Sequence, residues 1–382
     1  MDFTFEHYVA TKGGVTAREI AQQPVMWQKT VEILEERLSE ITSFMERALS
    51  FEKLNIIFTG AGSSAFCAEM VFPGVNKYLG YNTTAIHTTD IVATPDSYLK
   101  AEIPTMLVSF GRSGNSPESV AAVEYARKRV NDLFEVAITC AAEGKLALMT
   151  GESDYRMTIN LPEETNDAGF AMTSSLTSMA LAAYGVLAFG HFAQFKKDAL
   201  FLSDVIGDKL QYLADEAKAI ANVFDFDRAA FLGCGTLKGA AHEATVKMCE
   251  LTTGVVNVVH DTSMGFRHGP KFMVKDNTIT LHMISDDALT RKYDLDFLKE
   301  VMAERGKNKV LVVSSKPVET FGADFAVTFG VAFENDFFLA VANVVFAQLL
   351  AFFTSQKMGF HTDSPSVDNP VANRVVQGVI IY

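Results

Sequence analysis

Basic residues are the first thing in short supply: 33 Lys and Arg face 46 Asp and Glu, a formal net charge of −13 at pH 7. No Lys/Arg cluster offsets the deficit, so a surface for a nucleic-acid backbone is excluded and no nucleic-acid partner is expected. An anionic small molecule would have to be gripped by a local site, not drawn in by the overall field. Cysteine is scarce too. Cys67, Cys140, Cys234 and Cys249 show no C-x-x-C spacing, which argues against zinc or redox chemistry and for reduced, buried thiols in a cytoplasmic protein. Residues 1–10 lack the basic start and apolar run of a signal peptide, so export is not expected. Long apolar runs are absent apart from 179–195 and 337–353. The first is broken by Gly185, Gly190 and His191 and the second carries Asn343 and Gln348, so both read as buried core helices and no membrane partner is expected. There is no G-x-S-x-G elbow, no Walker lysine and no H-E-x-x-H.

What is present is a folded, core-rich chain. With 382 residues, 48% of them apolar and 21% charged, two domains can each bury a core of their own. Trp27 to Arg47 places Trp27, Val31, Leu34, Leu38, Ile41 and Met45 at three-and-four spacing, which predicts one amphipathic helix. Short apolar runs then alternate with helical stretches, the pattern of a parallel sheet covered by helices. Runs at 54–59, 105–109, 136–140 and 156–161 are followed by a second set at 229–232, 279–285, 310–314 and 326–329. Gly233-Cys234-Gly235-Thr236 repeats Gly60-Ala61-Gly62-Ser63 at the matching place. The expected fold class is therefore α/β: two tandem units, each a parallel sheet flanked by helices. The expected division is a helical segment at 1–50, a first domain at 51–215 and a second at 216–382, joined near 211–221 without a low-complexity linker.

Ligands of open parallel sheets sit at the C-terminal strand ends. In the first copy Gly60, Gly62, Ser63 and Ser64 open a helix, and Ser113, Gly114 and Ser116 do so one strand later, with Arg112 beside them. Backbone N–H groups and hydroxyls at two helix starts suit a phosphate. The same serines also suit plain helix capping, and Gly60 to Ala65 fits a relaxed dinucleotide fingerprint with Asp90 near its acidic position. The second copy has Ser285-Asp286-Asp287-Ala288 in place of the serine loop, so one phosphate per chain is expected. That copy instead carries His242, Glu243, Lys247 and Glu250 on a predicted helix. Glu243, Lys247 and Glu250 share one face, as either a salt-bridged stripe or a site. Beyond it, Gly265-Phe266-Arg267-His268-Gly269-Pro270 presents a histidine in a loop. A carboxylate and an imidazole together suit proton transfer between adjacent carbons and the opening of a sugar ring.

At these residues the chain resembles the sugar isomerase (SIS) family over nearly its whole length. It is similar to the isomerase half of glucosamine-6-phosphate synthase at Arg18-Glu19-Ile20-Ala21-Gln22-Gln23-Pro24, Gly60 to Ser64, Arg112 to Ser116, the Glu243/Lys247/Glu250 helix and His268-Gly269-Pro270. Ser109 to Ser119 and the ending Asn373 to Val379 resemble the AgaS type of that family, galactosamine-6-phosphate deaminase/isomerases or tagatose-6-phosphate ketose/aldose isomerases. The resemblance implies flavodoxin-like, three-layer αβα domains. It implies that Ser64, Ser113 and Ser116 bind phosphate, aided by Gly62, Ser63 and Arg112. Glu250 would be the C1–C2 proton shuttle, His268 the ring-opening group, and Glu243 and Lys247 the support of the open-chain sugar. Thr173, Ser174 and Arg374 would lie at the substrate. A homo-oligomer is implied, since SIS sites are often completed by a neighbouring subunit.

Two departures from the synthase direct the functional expectation. There is no glutaminase portion or cysteine after Met1, which favours the ammonia-releasing direction, and residues 369–382 contain no lysine to capture the ketose as an imine. The expectation is a deaminating isomerase that takes an amino-hexose 6-phosphate to the ketose 6-phosphate and ammonia. Its last step would be hydrolysis of a ketimine, which places the chain among hydrolases as well as isomerases. No cofactor or metal is expected, because the C1 aldehyde is itself the electron sink. Plain ketose/aldose isomerisation would use the same residues, and a silent sugar-phosphate sensor would bind without exchanging the C2 proton.

Overall fold

The structure, a computed structural model, describes residues 5–370 and 379–382. It contains two all-parallel five-stranded sheets, each flanked by helices. The strands are β1 (Asn55–Thr59), β2 (Thr83–Ala85), β3 (Thr105–Gly111), β4 (Leu133–Thr139), β5 (Arg156–Asn160), β6 (Arg228–Leu232), β7 (Asn257–Asp261), β8 (Thr278–Met283), β9 (Lys309–Ser314) and β10 (Phe325–Thr328). The first sheet runs β2-β1-β3-β4-β5 and the second β7-β6-β8-β9-β10, one order used twice. Order reverses between β1 and β3, and again between β6 and β8, so the loops leaving those strands diverge and open a crevice.

Both faces of each sheet are covered, which is why the strands read as apolar runs and not as alternating patterns. All seven residues of β3 are buried. Ile57, Leu107 and Ala137 pack on one face with Ala122, Val123 and Leu146. On the other, the Phe58 and Phe110 rings stack with centroids 6.0 Å apart. In the second sheet Ala230, Leu232, Val310 and Val312 pack with Phe297, Leu298 and Val301. The apolar run at 337–353 lies inside the helix Asp336–Met358. That helix is long and apolar enough to cross a membrane, but its apolar window is buried within the protein, as a core helix would be. The run at 179–195 is divided between the buried helix Ser174–Leu187 and a bend at Phe189–His191 leading into Phe192–Val223. The stretch read as a join, 211–221, is interior to that last helix.

By packing, the chain forms two compact units, each discontinuous in sequence. The first holds Val25–Asp167, Ser174–Leu200 and the described end 379–382; the second holds the segment up to Pro24, Ala168–Thr173 and residues 201–370. This division differs from one drawn along the repeat at 50 and 215, and the early helix shows why. Glu19, buried at the end of Gly14–Ala21, accepts the N–H groups of Ala168 (2.6 Å) and Gly169 (3.2 Å). Gln23 donates to Gln348 Oε1 at 2.8 Å on the buried apolar helix. Trp27 to Arg47 is not one helix: it breaks at Arg37 (φ −101°, ψ 9°), whose guanidinium bonds Glu40 and the Thr158 carbonyl. Two edge strands escaped the pattern. β2 is three residues of Thr and Ala, and β7 carries Asn257, His260 and Asp261 with only partial burial. Of the thiols, Cys67 and Cys140 are buried as expected, while Cys234 is half-buried and Cys249, on the outer face of its helix, is exposed.

His282 on β8 is 2% exposed, and burial pushes its imidazole down to about 4. The unfolded chain therefore takes up a proton near pH ~6.5 that the folded chain refuses. Stability is full above that value and is lost as pH falls toward about 4, on the order of 3 kcal/mol from this group. Urea titrations at pH 7 and pH 4.5 should show a smaller acid loss for His282→Phe than for the parent. An equal loss in both proteins would contradict the assignment.

Candidate functional site

The two serine loops leave β1 and β3, on either side of the first sheet's reversal point. Gly62 turns the chain at φ 58°, ψ −132° into the helix Ser63–Leu79, a conformation that strains any residue with a Cβ. A Cβ on Gly60 would come within 2.6 Å of Ser64, so the loop lies directly on the first helical turn. Ser64 is 5% exposed, and its hydroxyl has no hydrogen-bond partner among the described residues. In the second loop Ser113 is exposed and accepts from Asn115 N at 3.4 Å. Ser116 caps Pro117–Arg129, accepting from Ser119 N at 3.3 Å and donating to Glu118 Oε2 at 3.0 Å. The capping reading is therefore realised at Ser116, while Ser64 keeps its hydroxyl uncommitted.

Arg112 is half-buried and donates to the Asp167 carbonyl at 2.9 Å. The Asp167 carboxylate, itself buried, accepts from Ser174 Oγ (2.5 Å), Ser175 N (2.9 Å) and Ser175 Oγ (2.6 Å), closing the start of the helix Ser174–Leu187. Sequence reasoning passed over Asp167 and Ser175; an acid seven residues before an apolar helix was the available signal. Ser174 is thus engaged by Asp167. Thr173 is fully buried, its carbonyl accepting from Gln348 at 3.4 Å. Arg374 lies outside the described residues. Cys140, next to this network, has its thiol pushed up to about 12, first by burial, and is inert as a nucleophile.

The second sheet repeats the frame with different contents. Gly235 opens Thr236–Leu251 at φ 59°, ψ −127°, almost the angles of Gly62 and 173 positions later. A Cβ on Gly233 would strike Leu237, where Gly60 meets Ser64, so an apolar residue stands in place of the hydroxyl. The loop after β8 spends its donors on a carboxylate of the chain itself: Ser285 Oγ and Asp286 N bond Asp336 at 2.5 and 2.8 Å. Asp294 ties this end of the sheet together, accepting from Ser263 Oγ at 2.7 Å, Cys234 Sγ at 3.2 Å and Ser285 N at 3.2 Å. Burial raises its pKa above the ordinary carboxylate value.

On Thr236–Leu251 the structure brings Glu243, Lys247 and Glu250 together. Lys247 Nζ lies 3.2 Å from Glu243 Oε1 and 2.5 Å from Glu250 Oε2. The Lys247 and Glu243 side chains are 1% exposed and that of Glu250 21%, so this is not a solvated stripe. Burial alone would lower the Lys247 pKa; the two carboxylates overcome it and raise the value above that of ordinary lysine, holding an ammonium in the interior. His242, on the same helix, stacks on His260 of β7 with ring centroids 3.8 Å apart. His260 was missed because its strand was missed. His268 follows the short helix Ser263–Phe266, and its ring is exposed with no hydrogen-bond partner among the described residues. No hydrogen bond or ion pair joins it to Glu250 among the described residues. Among the described residues no group of three His, Cys, Asp or Glu side chains is placed to hold a metal ion.

The SIS domain family profile matches residues 49–188. The chain is 37% identical over 378 residues to D-galactosamine-6-phosphate deaminase AgaS of Escherichia coli, covering 98% of this chain and 97% of that protein. It is also 37% identical over 371 residues to the protein of the same name from Shewanella sp. strain ANA-3, with 96% and 91% covered. The crystal structure of tagatose-6-phosphate ketose/aldose isomerase from Escherichia coli superposes with a TM-score of 0.88 at 35% identity, covering 96% of both chains. These names are those of a deaminase and an isomerase, and the expected classification as a hydrolase is corrected accordingly. The class is set by proton transfer between neighbouring carbons and departure of an amine, not by attack of water on an otherwise stable bond.

Lys247→Met leaves Glu243 buried opposite no cation. The expected loss is about 3–5 kcal/mol of folding stability, the scale of a broken buried pair. Adding Glu243→Gln should recover much of it. Equilibrium denaturation of both variants checks this; a Lys247→Met protein as stable as the parent would contradict a buried ammonium.

Proposed function

The chain belongs to the AgaS type of the SIS family, and from that premise we propose that it converts D-galactosamine 6-phosphate to tagatose 6-phosphate and ammonia. The observation that carries the reading is the buried lysine with its two carboxylates, of which Glu250 alone reaches solvent. An ammonium 2.5 Å away fixes the orientation of that carboxylate, as a base acting on one of two adjacent carbons requires.

In the proposed reaction the phosphate is held by Ser64, Ser113 and Ser116 with the N–H groups near Gly62 and Ser63, and Arg112 adds charge nearby. His268 opens the pyranose ring. Glu250 takes the proton from C2 of the open-chain amino-aldehyde, and the electron pair moves onto the C1 aldehyde. Returning the proton to C1 leaves a hydroxymethyl group at C1 and an imine at C2; water then supplies the ketone oxygen and nitrogen leaves as ammonia. Glu243 and Lys247 are positioning residues for Glu250, and Thr173, Ser174 and Asp167 shape the segment beside the sugar. Arg374 is proposed to contact the substrate. Plain ketose/aldose isomerisation is the second reading, favoured by the name of the superposed Escherichia coli structure. The exposed ring of His268, without a hydrogen-bond partner among the described residues, suits completion of the site across a subunit boundary, so a homo-oligomer is proposed, acting in the cytoplasm where sugar phosphates are held.

The test follows ammonia and ketose released from galactosamine and glucosamine 6-phosphates by the parent and by Glu250→Gln. Expected are stoichiometric ammonia from the galacto substrate and a kcat lower by roughly two to four powers of ten in the variant, with KM little changed. Turnover of tagatose 6-phosphate without ammonia release from either amino sugar would favour the second reading, and parental turnover in Glu250→Gln would contradict both.

A further inference from the structure

Two titratable side chains stand beside the first serine loop, and the proposed reaction gives them no task. His87 follows β2, and Glu69 lies in the second turn of the helix Ser63–Leu79. All strands of the first sheet are parallel, so the end of β2 and the start of that helix lie at one edge, the edge at which the loop Gly60–Ser64 turns. His87 Nε2 lies 2.8 Å from Glu69 Oε1, and the two side chains are 29% and 26% exposed. The imidazole also meets the Phe66 ring edge-on, with centroids 5.8 Å apart.

The backbone around these contacts closes on the loop from both ends. Before it, Ile86 N donates to the Phe58 carbonyl at 3.0 Å and Thr88 N to the Gly60 carbonyl at 2.8 Å, so both neighbours of His87 are tied to β1 and the first residue of the loop. After it, Ala65 N and Phe66 N donate to the Gly62 carbonyl at 2.8 and 3.2 Å. The His87 side chain joins the two ends by meeting Phe66 and Glu69. A Cβ on Gly62 would find nothing within 4 Å, so no packed side chain steadies the turn there. The bond to Glu69 raises the imidazole pKa above its ordinary 6.5, burial opposing and Asp90 of the helix Thr88–Ala93 assisting. The ion pair is therefore complete below that ordinary value and is lost as the pH rises through the higher folded value, leaving a neutral hydrogen bond. We propose that His87 is a positioning residue for the phosphate loop, that its bond to Glu69 braces the turn at Gly62, and that the loop's hold on a phosphorylated sugar slackens at alkaline pH. The inference rests on the reading that this loop binds the phosphate.

Calorimetric titration of the full chain with galactitol 6-phosphate, which lacks the carbonyl needed for turnover, tests it at about pH 7 and pH 9, where the phosphate is mostly a dianion. Galactitol is the unphosphorylated control. The parent should bind the phosphate ester about three- to tenfold more weakly at the higher pH, the scale of a charge-assisted hydrogen bond reduced to a neutral one. His87→Phe keeps a ring beside Phe66 and should bind weakly at both values. His87→Gln, which can still donate to Glu69, should recover part of the affinity without the pH dependence, and Glu69→Gln should lose the same dependence. In turnover of galactosamine 6-phosphate, His87→Phe should raise KM and leave kcat within about twofold, a split that general loosening of the fold would not give. Parental affinity and pH dependence in His87→Phe and Glu69→Gln, with affinity lost in Ser64→Ala, would overturn the inference and leave the phosphate site standing. Parental affinity in Ser64→Ala would remove the phosphate site and the inference with it. Glu69→Gln alters a part-exposed side chain and keeps the test open if His87→Phe does not fold.

Discussion

A lysine ammonium taken out of water must be met by opposite charge, and the second unit is organised around that requirement. Lys247 is held by Glu243 and Glu250 on the same helix, and the three side chains together carry one net negative charge. Isolated burial of any of them would cost several kcal/mol. Together they are tolerable, and the surplus charge sits on the one member that reaches the surface. The helix bearing them is fixed at its start by the Gly235 turn and packs against the long apolar helix Asp336–Met358. A charge cluster this costly to assemble is poorly explained as a stability device and well explained as a way to hold one carboxylate still.

The same architecture used twice shows how a duplicated fold divides its labour. Gly62 and Gly235 set the same backbone path, yet the residue pressed beneath each loop is Ser64 in one copy and Leu237 in the other. After β8 the available donors are spent on Asp336, an internal anion. The first copy keeps an uncommitted hydroxyl, that of the largely buried Ser64, at the start of a helix, which is the chemistry an external anion needs. The proposed reaction assigns anion binding to the first copy and proton transfer to the second.

Most of the architecture was legible because parallel strands buried on both faces leave apolar runs, and because Gly-x-Gly turns mark strand-to-helix junctions. The failures have physical causes. β2 and β7 are edge strands, half-exposed, whose polar residues satisfy a single neighbour each. The break at Arg37 came from side-chain bonding to the Thr158 carbonyl, which no periodicity reveals. The three charged residues were placed on one helical face by spacing, but their burial was not readable, since a solvated stripe has the same pattern. Asp294 and Asp336 were invisible because they tie down loops far away in sequence, Asp294 meeting Cys234 and Ser263 and Asp336 meeting Ser285, whereas Asp167, bonded by Ser174 and Ser175, left only its place before an apolar helix as a signal. His260 went with its strand, and the stacking on His242 with it.

The central claim is that Glu250 carries one proton from C2 to C1 of an open-chain sugar phosphate. Turnover of galactosamine 6-phosphate in D₂O, with the tagatose 6-phosphate product analysed by proton NMR, tests it most directly. The account predicts solvent deuterium at C1 of the product and exchange at C2 of recovered substrate, both abolished in Glu250→Gln. In H₂O, substrate labelled with deuterium at C2 should deliver that label to C1 of the product and to solvent, the split reporting how far the shuttle is enclosed. Undiminished movement of the label out of C2 in the Glu250→Gln protein would contradict the account.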